Sequence, residues 1–111
     1  VKEVGDFKKE VLDHEGVTIV DFYTPICPPC RMLMPILQDL SSKYRIRKVN
    51  GFERGDICKE YNVSRVPVLI FFKDGEIVKR IDGMAKKKDI ERVMEELMAK
   101  TTANNDISGE K

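Results

Sequence analysis

The stretch Val17-Thr18-Ile19-Val20-Asp21-Phe22-Tyr23-Thr24-Pro25-Ile26-Cys27-Pro28-Pro29-Cys30-Arg31 changes character part-way along. Up to Tyr23 it is apolar and β-branched, interrupted by Asp21, as suits a central strand covered on both faces. Past the cysteines, Leu33, Ile36, Leu37, Leu40 and Tyr44 recur at helical spacing. Cys27 and Cys30 therefore sit where a strand hands over to a helix. There the first backbone N–H groups lack partners, and the positive end of the helix dipole favours an anion. The thiolate is the reactive form of cysteine. Cys27, at the helix start, is expected to be the more acidic and attacking thiol. Cys30, one turn in, is expected to be less exposed and near enough to close a disulfide with it. The pair suits thiol–disulfide exchange, in which Cys27 attacks a partner's disulfide and Cys30 resolves the mixed disulfide. Two other readings stand beside this one. Two cysteines can simply pack in a core. A zinc ion wants about four ligands, and beyond the pair the chain offers Cys58 and His14. No metal or other cofactor is expected.

Upstream, Gly5-Asp6 offers a helix start with Asp6 as N-cap. Phe7, Val11 and Leu12 give that helix its apolar stripe, and Gly16 ends it. Residues 1–4 offer a short first strand. Downstream, the helix after the cysteines is expected to run to about Tyr44, kinked by Pro35. Arg45–Asn50 reads as a strand, 51–55 as a loop, and 56–61 as a short helix with Ile57, Cys58 and Tyr61 inward. Residues 68–72 and 77–81 read as strands around Lys73-Asp74-Gly75-Glu76, where Asp-Gly between apolar runs signals a hairpin. Asp82-Gly83-Met84 is a second turn. Ile90, Val93, Met94, Leu97 and Met98 give a last helix its core face. Tyr61, Met94 and Met98 read as core. Lys86-Lys87-Lys88, at that helix's start, reads as a solvated face. Residues 101–111 are polar and aperiodic, so a domain over 1–100 followed by a disordered tail is expected. Alternating elements closed by a hairpin imply an α/β domain, with a mixed sheet of four to five strands and helices on both faces.

The chain has 111 residues, one domain's worth. Hydrophobic residues at 41% and charged residues at 35% exclude a disordered chain. A net charge of +1 gives no field that would draw nucleic acid or a membrane surface. No apolar run is long enough to span a membrane, and the first residues carry no signal-peptide pattern. Three cysteines argue against a secreted disulfide scaffold. A cytoplasmic monomer is the expectation.

At this point the chain resembles the thioredoxin family, to about Lys100. Thioredoxins are the standing example of a Cys-x-x-Cys pair beside a βαβ pattern. Val20-Asp21-Phe22-Tyr23, then Cys27-Pro28-Pro29-Cys30-Arg31-Met32 and Pro35, follow the family's active-site motif in order and spacing. Val66-Pro67-Val68-Leu69 resembles its cis-proline segment, Lys73-Asp74-Gly75-Glu76 its hairpin and Asp82-Gly83 its later glycine. The resemblance implies the thioredoxin fold and a protein-disulfide reductase with a Cys27–Cys30 redox disulfide. It implies a reductase partner, flavin- or ferredoxin-linked. It implies a cis Pro67 opposite Cys27, leaving the Val66 backbone free to pair with an extended substrate strand. Asp21 would accept the Cys30 proton through a water. Lys48 would tune Asp21, or Arg47 if the register slips by one. Ile26, Pro28, Val66, Pro67, Gly83 and Met84 would form a flat apolar substrate surface. A disulfide oxidant or isomerase on the same fold, a non-catalytic binding module and a glutaredoxin-like protein are the competing readings. The missing signal peptide, the intact cysteines with Asp21 and Pro67, and the fit of the whole chain weigh against each in turn.

The chain departs from the family pattern at four places. Ile26 and Tyr23 stand where tryptophans are usual. Pro28 replaces a glycine, removing a backbone N–H beside the Cys27 sulfur and stiffening the turn. Arg65 stands where a small residue is common, and a cation there would favour the Cys27 thiolate and acidic partners. Cys58 is expected to be a buried inert thiol, and His14 a surface residue.

Overall fold

The structure, a computed structural model, describes the backbone of residues 1–110 and the side chains of residues 1–99. The side chains of the expected tail, 101–111, lie outside the described residues, and the division at residue 100 stays an expectation. Five strands form one sheet: β1 Lys2–Glu3, β2 Val17–Tyr23, β3 Arg45–Asn50, β4 Val68–Lys73 and β5 Glu76–Asp82. Their order is β1-β3-β2-β4-β5. β3 runs parallel to both β1 and β2, whereas β4 runs antiparallel to β2 and to β5. Three α-helices accompany them: α1 Pro28–Leu40, α2 Gly55–Glu60 and α3 Lys87–Glu110.

Strand alternation divides the core. Val20, Phe22, Ile70 and Phe72 point to one face, under the first helical turn and α2. Ile19, Leu69 and Phe71 point to the other, under Leu33, Leu37 and Leu40 of α1 and Ile90 and Met94 of α3. β2 is buried from Thr18 to Phe22 because it has a strand on each side and helices on both faces. Tyr61, half-buried, stacks against Phe7, Phe22 and Phe72 with centroids 5.5, 6.5 and 5.6 Å apart.

Some expectations need correcting. The first helix is one π-helical turn, Lys8–Leu12, closed by an Asp13 N–H bond to the Lys8 carbonyl. Phe7, not Asp6, takes its N-cap position, although the Asp6 carboxylate accepts the Lys9 N–H at 3.1 Å. Glu10 reaches back to the Gly5 and Asp6 amides. α1 stops at Leu40 rather than near Tyr44. There the Ser41 and Ser42 hydroxyls donate to the Gln38 and Asp39 carbonyls, competing with the helix ladder. Met98 is not core but 49% exposed. Lys73, at the end of β4, reaches the Leu97 carbonyl, so by that point the helix has run the length of the strand. Cys58 is a free thiol and half-buried rather than buried, because Ile57 takes the inward position of the short α2.

Candidate functional site

β2 ends at Tyr23 and α1 begins at Pro28, so the cysteines lie at the C-terminal end of the sheet's central strand. Cys27 is the N-cap of α1. Pro28 and Pro29 fit the first helical positions because their missing N–H groups would be orphans there. The same two prolines leave Cys30 as the first residue of the helix with an amide to offer. That N–H donates to Cys27 Sγ at 3.2 Å. Cys27 and Cys30 form a disulfide, with Cα atoms 5.2 Å apart. The two sulfurs differ in access: Cys27 is half-buried, Cys30 only 2% exposed. An incoming group meets Cys27 first.

Opposite the pair, the Val66–Pro67 peptide bond is cis. The Val66 carbonyl oxygen lies 3.7 Å from Cys27 Sγ. Pro67 is buried, so this segment meets solvent through half-buried Val66. The Pro67 carbonyl accepts the Gly83 N–H at 2.8 Å, which places the turn after β5 beside the site. Gly83 has φ +91°, a conformation that favours glycine. Ile26 is 73% and Met84 45% exposed, and Pro28 is exposed as well. A concavity lined by Ser64, Arg65, Val66, Pro67, Arg80 and Gly83 extends from this surface. Arg65 is exposed and makes no hydrogen bond or ion pair among the described residues.

Beneath α1, Asp21 is fully buried, and neither carboxylate oxygen has a hydrogen-bond partner. Burial pushes its pKa up to about 7, Lys48 pulls it down and Glu3 raises it. Cys30 precedes Leu33 and Leu37 on one helical face, and they pack on the sheet face that carries Asp21. The strand registers lay one row across that face: Glu3 on β1, Lys48 on β3, Asp21 on β2, Leu69 on β4 and Ile81 on β5. Arg47 belongs to the other face, where it lies 3.7 Å from Glu10. Lys48 pairs with Glu3 at 3.8 Å and lies over the Tyr23 ring at 5.3 Å. The Tyr23 hydroxyl donates to the same Glu3 carboxylate.

His14 precedes β2, at the end of that strand remote from the cysteines, and is half-buried. Burial, Arg45 and Arg47 lower its pKa. Burial raises that of Cys58. Among the described residues no group of three or more His, Cys, Asp and Glu side chains is placed to hold a metal. No helix among them is long and apolar enough to cross a membrane. The sequence reading missed two features. One is the contact of Glu3 with Lys48 and Tyr23, which becomes visible only once β1 is set against β3. The other is Phe52, 62% exposed in the loop after β3 at the cysteine end of the sheet, whose signal was an aromatic in a loop.

The family model described as thioredoxin matches residues 1–96. Thioredoxin 1 of Nostoc sp. is 33% identical over 93 residues, covering 80% of this chain and 87% of that protein. Thioredoxin C-2 of Corynebacterium nephridii is 36% identical over 89 residues, covering 77% and 82%. A solved mutant thioredoxin from Halobacterium salinarum superposes with a TM-score of 0.77 at 27% identity, over 85% of each chain.

Proposed function

The chain belongs to the thioredoxin family, and from that premise we propose that Cys27-Pro28-Pro29-Cys30 is its active site. The protein has the thioredoxin fold. It is a thiol–disulfide oxidoreductase that reduces protein disulfides. Its partners are protein disulfides and, in general, a reductase. The observation that carries the assignment of roles is the asymmetry of the pair: Cys27 is accessible and at the helix start, while Cys30 is buried behind it.

The steps balance as follows. The Cys27 thiolate attacks one sulfur of a substrate disulfide. The Cys27–substrate bond forms, and the second substrate sulfur leaves as a thiolate that takes a proton from solvent. Cys30 gives its proton to Asp21 through a water and attacks Cys27 Sγ. The Cys27–Cys30 bond forms, and the first substrate sulfur leaves as a thiolate. The substrate has gained two electrons and the pair has lost two, to be restored by the reductase. Asp21 suits this role because a carboxyl with its pKa near 7 changes protonation in the working range. Lys48 acts on Asp21 from the adjacent strand.

A substrate segment pairs in extended form with the Val66 backbone. It lies over Ile26, Pro28, Val66, Pro67, Gly83 and Met84. Arg65 adds an exposed cation, with no partner among the described residues, which favours the Cys27 thiolate and acidic substrate flanks. The reductase is flavin- or ferredoxin-linked. The protein works as a cytoplasmic monomer, with residues 1–100 as its domain and 101–111 as a polar tail. The equilibrium of the reduced and oxidised pair with glutathione tests the direction of the reaction. A potential well below the glutathione pool is expected of a reductase; one well above it would make the protein an oxidant.

A further inference from the structure

The row Glu3–Lys48–Asp21 holds a contact that the catalytic scheme does not use. Lys48 is the cation on the strand beside Asp21, in direct register with it. Yet its ammonium pairs with Glu3 on the far side, 3.8 Å away, and makes no ion pair with Asp21. Glu3 is placed for this by its own register with Lys48. It is held there by the Tyr23 hydroxyl, which donates to the same carboxylate. The Tyr23 ring in turn lies beneath the ammonium. One carboxylate and one aromatic ring thus fix a lysine that would otherwise be free to turn toward the neighbouring buried acid.

We propose that Glu3 is a positioning residue for the disulfide chemistry: by engaging Lys48 it holds that ammonium off the Asp21 carboxyl, and so keeps Asp21 able to take and release the proton of Cys30. The inference rests on the role proposed above for Asp21.

The physical argument is a competition for one cation. A carboxylate that gains an ammonium within a few ångströms is stabilised in its charged form and becomes a poorer proton acceptor. Asp21 has no hydrogen bonds to its oxygens, so Lys48 would be its main source of such stabilisation. The groups facing Asp21 are few. β1 brings Glu3, β3 brings Lys48, β2 brings Tyr23, and α1 brings Cys30. β4 contributes apolar Leu69, and the cluster on that sheet face, which includes Ile90 and Met94 of α3, is apolar. Lys48 is the one cation in that set, and Glu3 is the carboxylate paired with it; Glu53, in the loop after β3, acts on the Tyr23 hydroxyl. The edge strand, two residues long, thereby reaches the active site through a side-chain relay, in addition to the direct repulsion between the Glu3 and Asp21 charges.

The test is a carbon NMR titration of the Asp21 carboxyl in the full-length oxidised protein, with no substrate present. Glu3→Gln should move the Asp21 midpoint to lower pH by about half a unit or more. Lys48→Met should move it to higher pH. In the Lys48→Met background, Glu3→Gln should have a smaller effect than in the parent, because the relay is gone. A midpoint unmoved or raised by Glu3→Gln would overturn the inference. So would equal shifts with and without Lys48, which would mean that Glu3 acts on Asp21 directly. Glu3→Gln keeps the side chain's size at an exposed strand position, and Glu3→Ala should shift the midpoint in the same direction. The titration is independent of turnover. A normal rate of disulfide reduction with an unmoved midpoint removes the inference alone, whereas loss of disulfide reduction in the parent protein would remove the reading beneath it.

Discussion

At the scale of single residues, Asp21 is where burying an acid costs the fold stability. Its folded pKa is about 7, against 3.8 for a free aspartate, chiefly because burial penalises the charge. Between those two values the folded protein holds a proton that the unfolded chain has lost. Stability therefore falls as pH rises through that window and levels off above it. Asp21→Asn keeps a neutral side chain at every pH. Urea unfolding should show it close to the parent at pH 4 and more stable at pH 8, by at most about 4 kcal/mol. A gap that does not change between the two pH values would mean that Asp21 is not held neutral by burial. Arg65, exposed on the surface, carries the proposed influence on the Cys27 thiolate. Arg65→Ala should slow alkylation of Cys27 at neutral pH, more at low salt than at high salt. An unchanged rate would dismiss its influence on the thiolate. That Asp21 is a buried acid was legible, since it interrupts an apolar, β-branched run. The partner of Lys48 was not legible, because it depends on the register of two strands forty-five residues apart in sequence.

At the scale of elements, local chemistry set most boundaries. β2 and β3 coincide with their apolar and mixed runs, and the Lys73–Glu76 turn falls where Asp-Gly placed it. Asp74 and Gly75 both have positive φ, 52° and 85°, as a tight hairpin turn requires. The tip of this hairpin is also a docking point. The Asp74 N–H donates to the Gly16 carbonyl at 2.9 Å, and the Gly16 N–H donates back to Asp74 Oδ1 at 2.7 Å. A Cβ on Gly75 would stand 2.2 Å from the Leu12 carbonyl oxygen. Gly75→Ala must therefore displace backbone as well as adopt a disfavoured φ. It should cost on the order of 3 kcal/mol in thermal or urea unfolding, without altering the redox potential. A cost under about 1 kcal/mol would show that the tip is free to move away. The elements whose limits were misplaced are those governed by side-chain competition or by tertiary reach. Ser41 and Ser42 draw carbonyls out of the α1 ladder. The apolar stripe of α3 outlasts the strand it covers, leaving Met98 exposed.

At the scale of the whole molecule, the fold brings four segments of the chain to one end of the sheet. β2 delivers the cysteines, the β3 loop delivers Phe52, the segment before β4 delivers Val66, and the turn after β5 delivers Gly83. Lys87 of α3 pairs with Asp39 of α1 at the surface, while Leu33, Leu37 and Leu40 hold α1 on the sheet. The order of strands was not legible in the sequence, because β3 pairs outward while β4 returns beside β2. The cysteine pair was legible, because Cys27 and Cys30 stand where an apolar strand run gives way to a helical one. The central claim concerns which sulfur does the attacking. It is tested most directly by trapping with a disulfide-bonded protein substrate, using Cys30→Ser and Cys27→Ser in parallel. The account predicts a stable mixed disulfide through Cys27 in the Cys30→Ser protein and none in the Cys27→Ser protein; a mixed disulfide formed by the Cys27→Ser protein alone would contradict it.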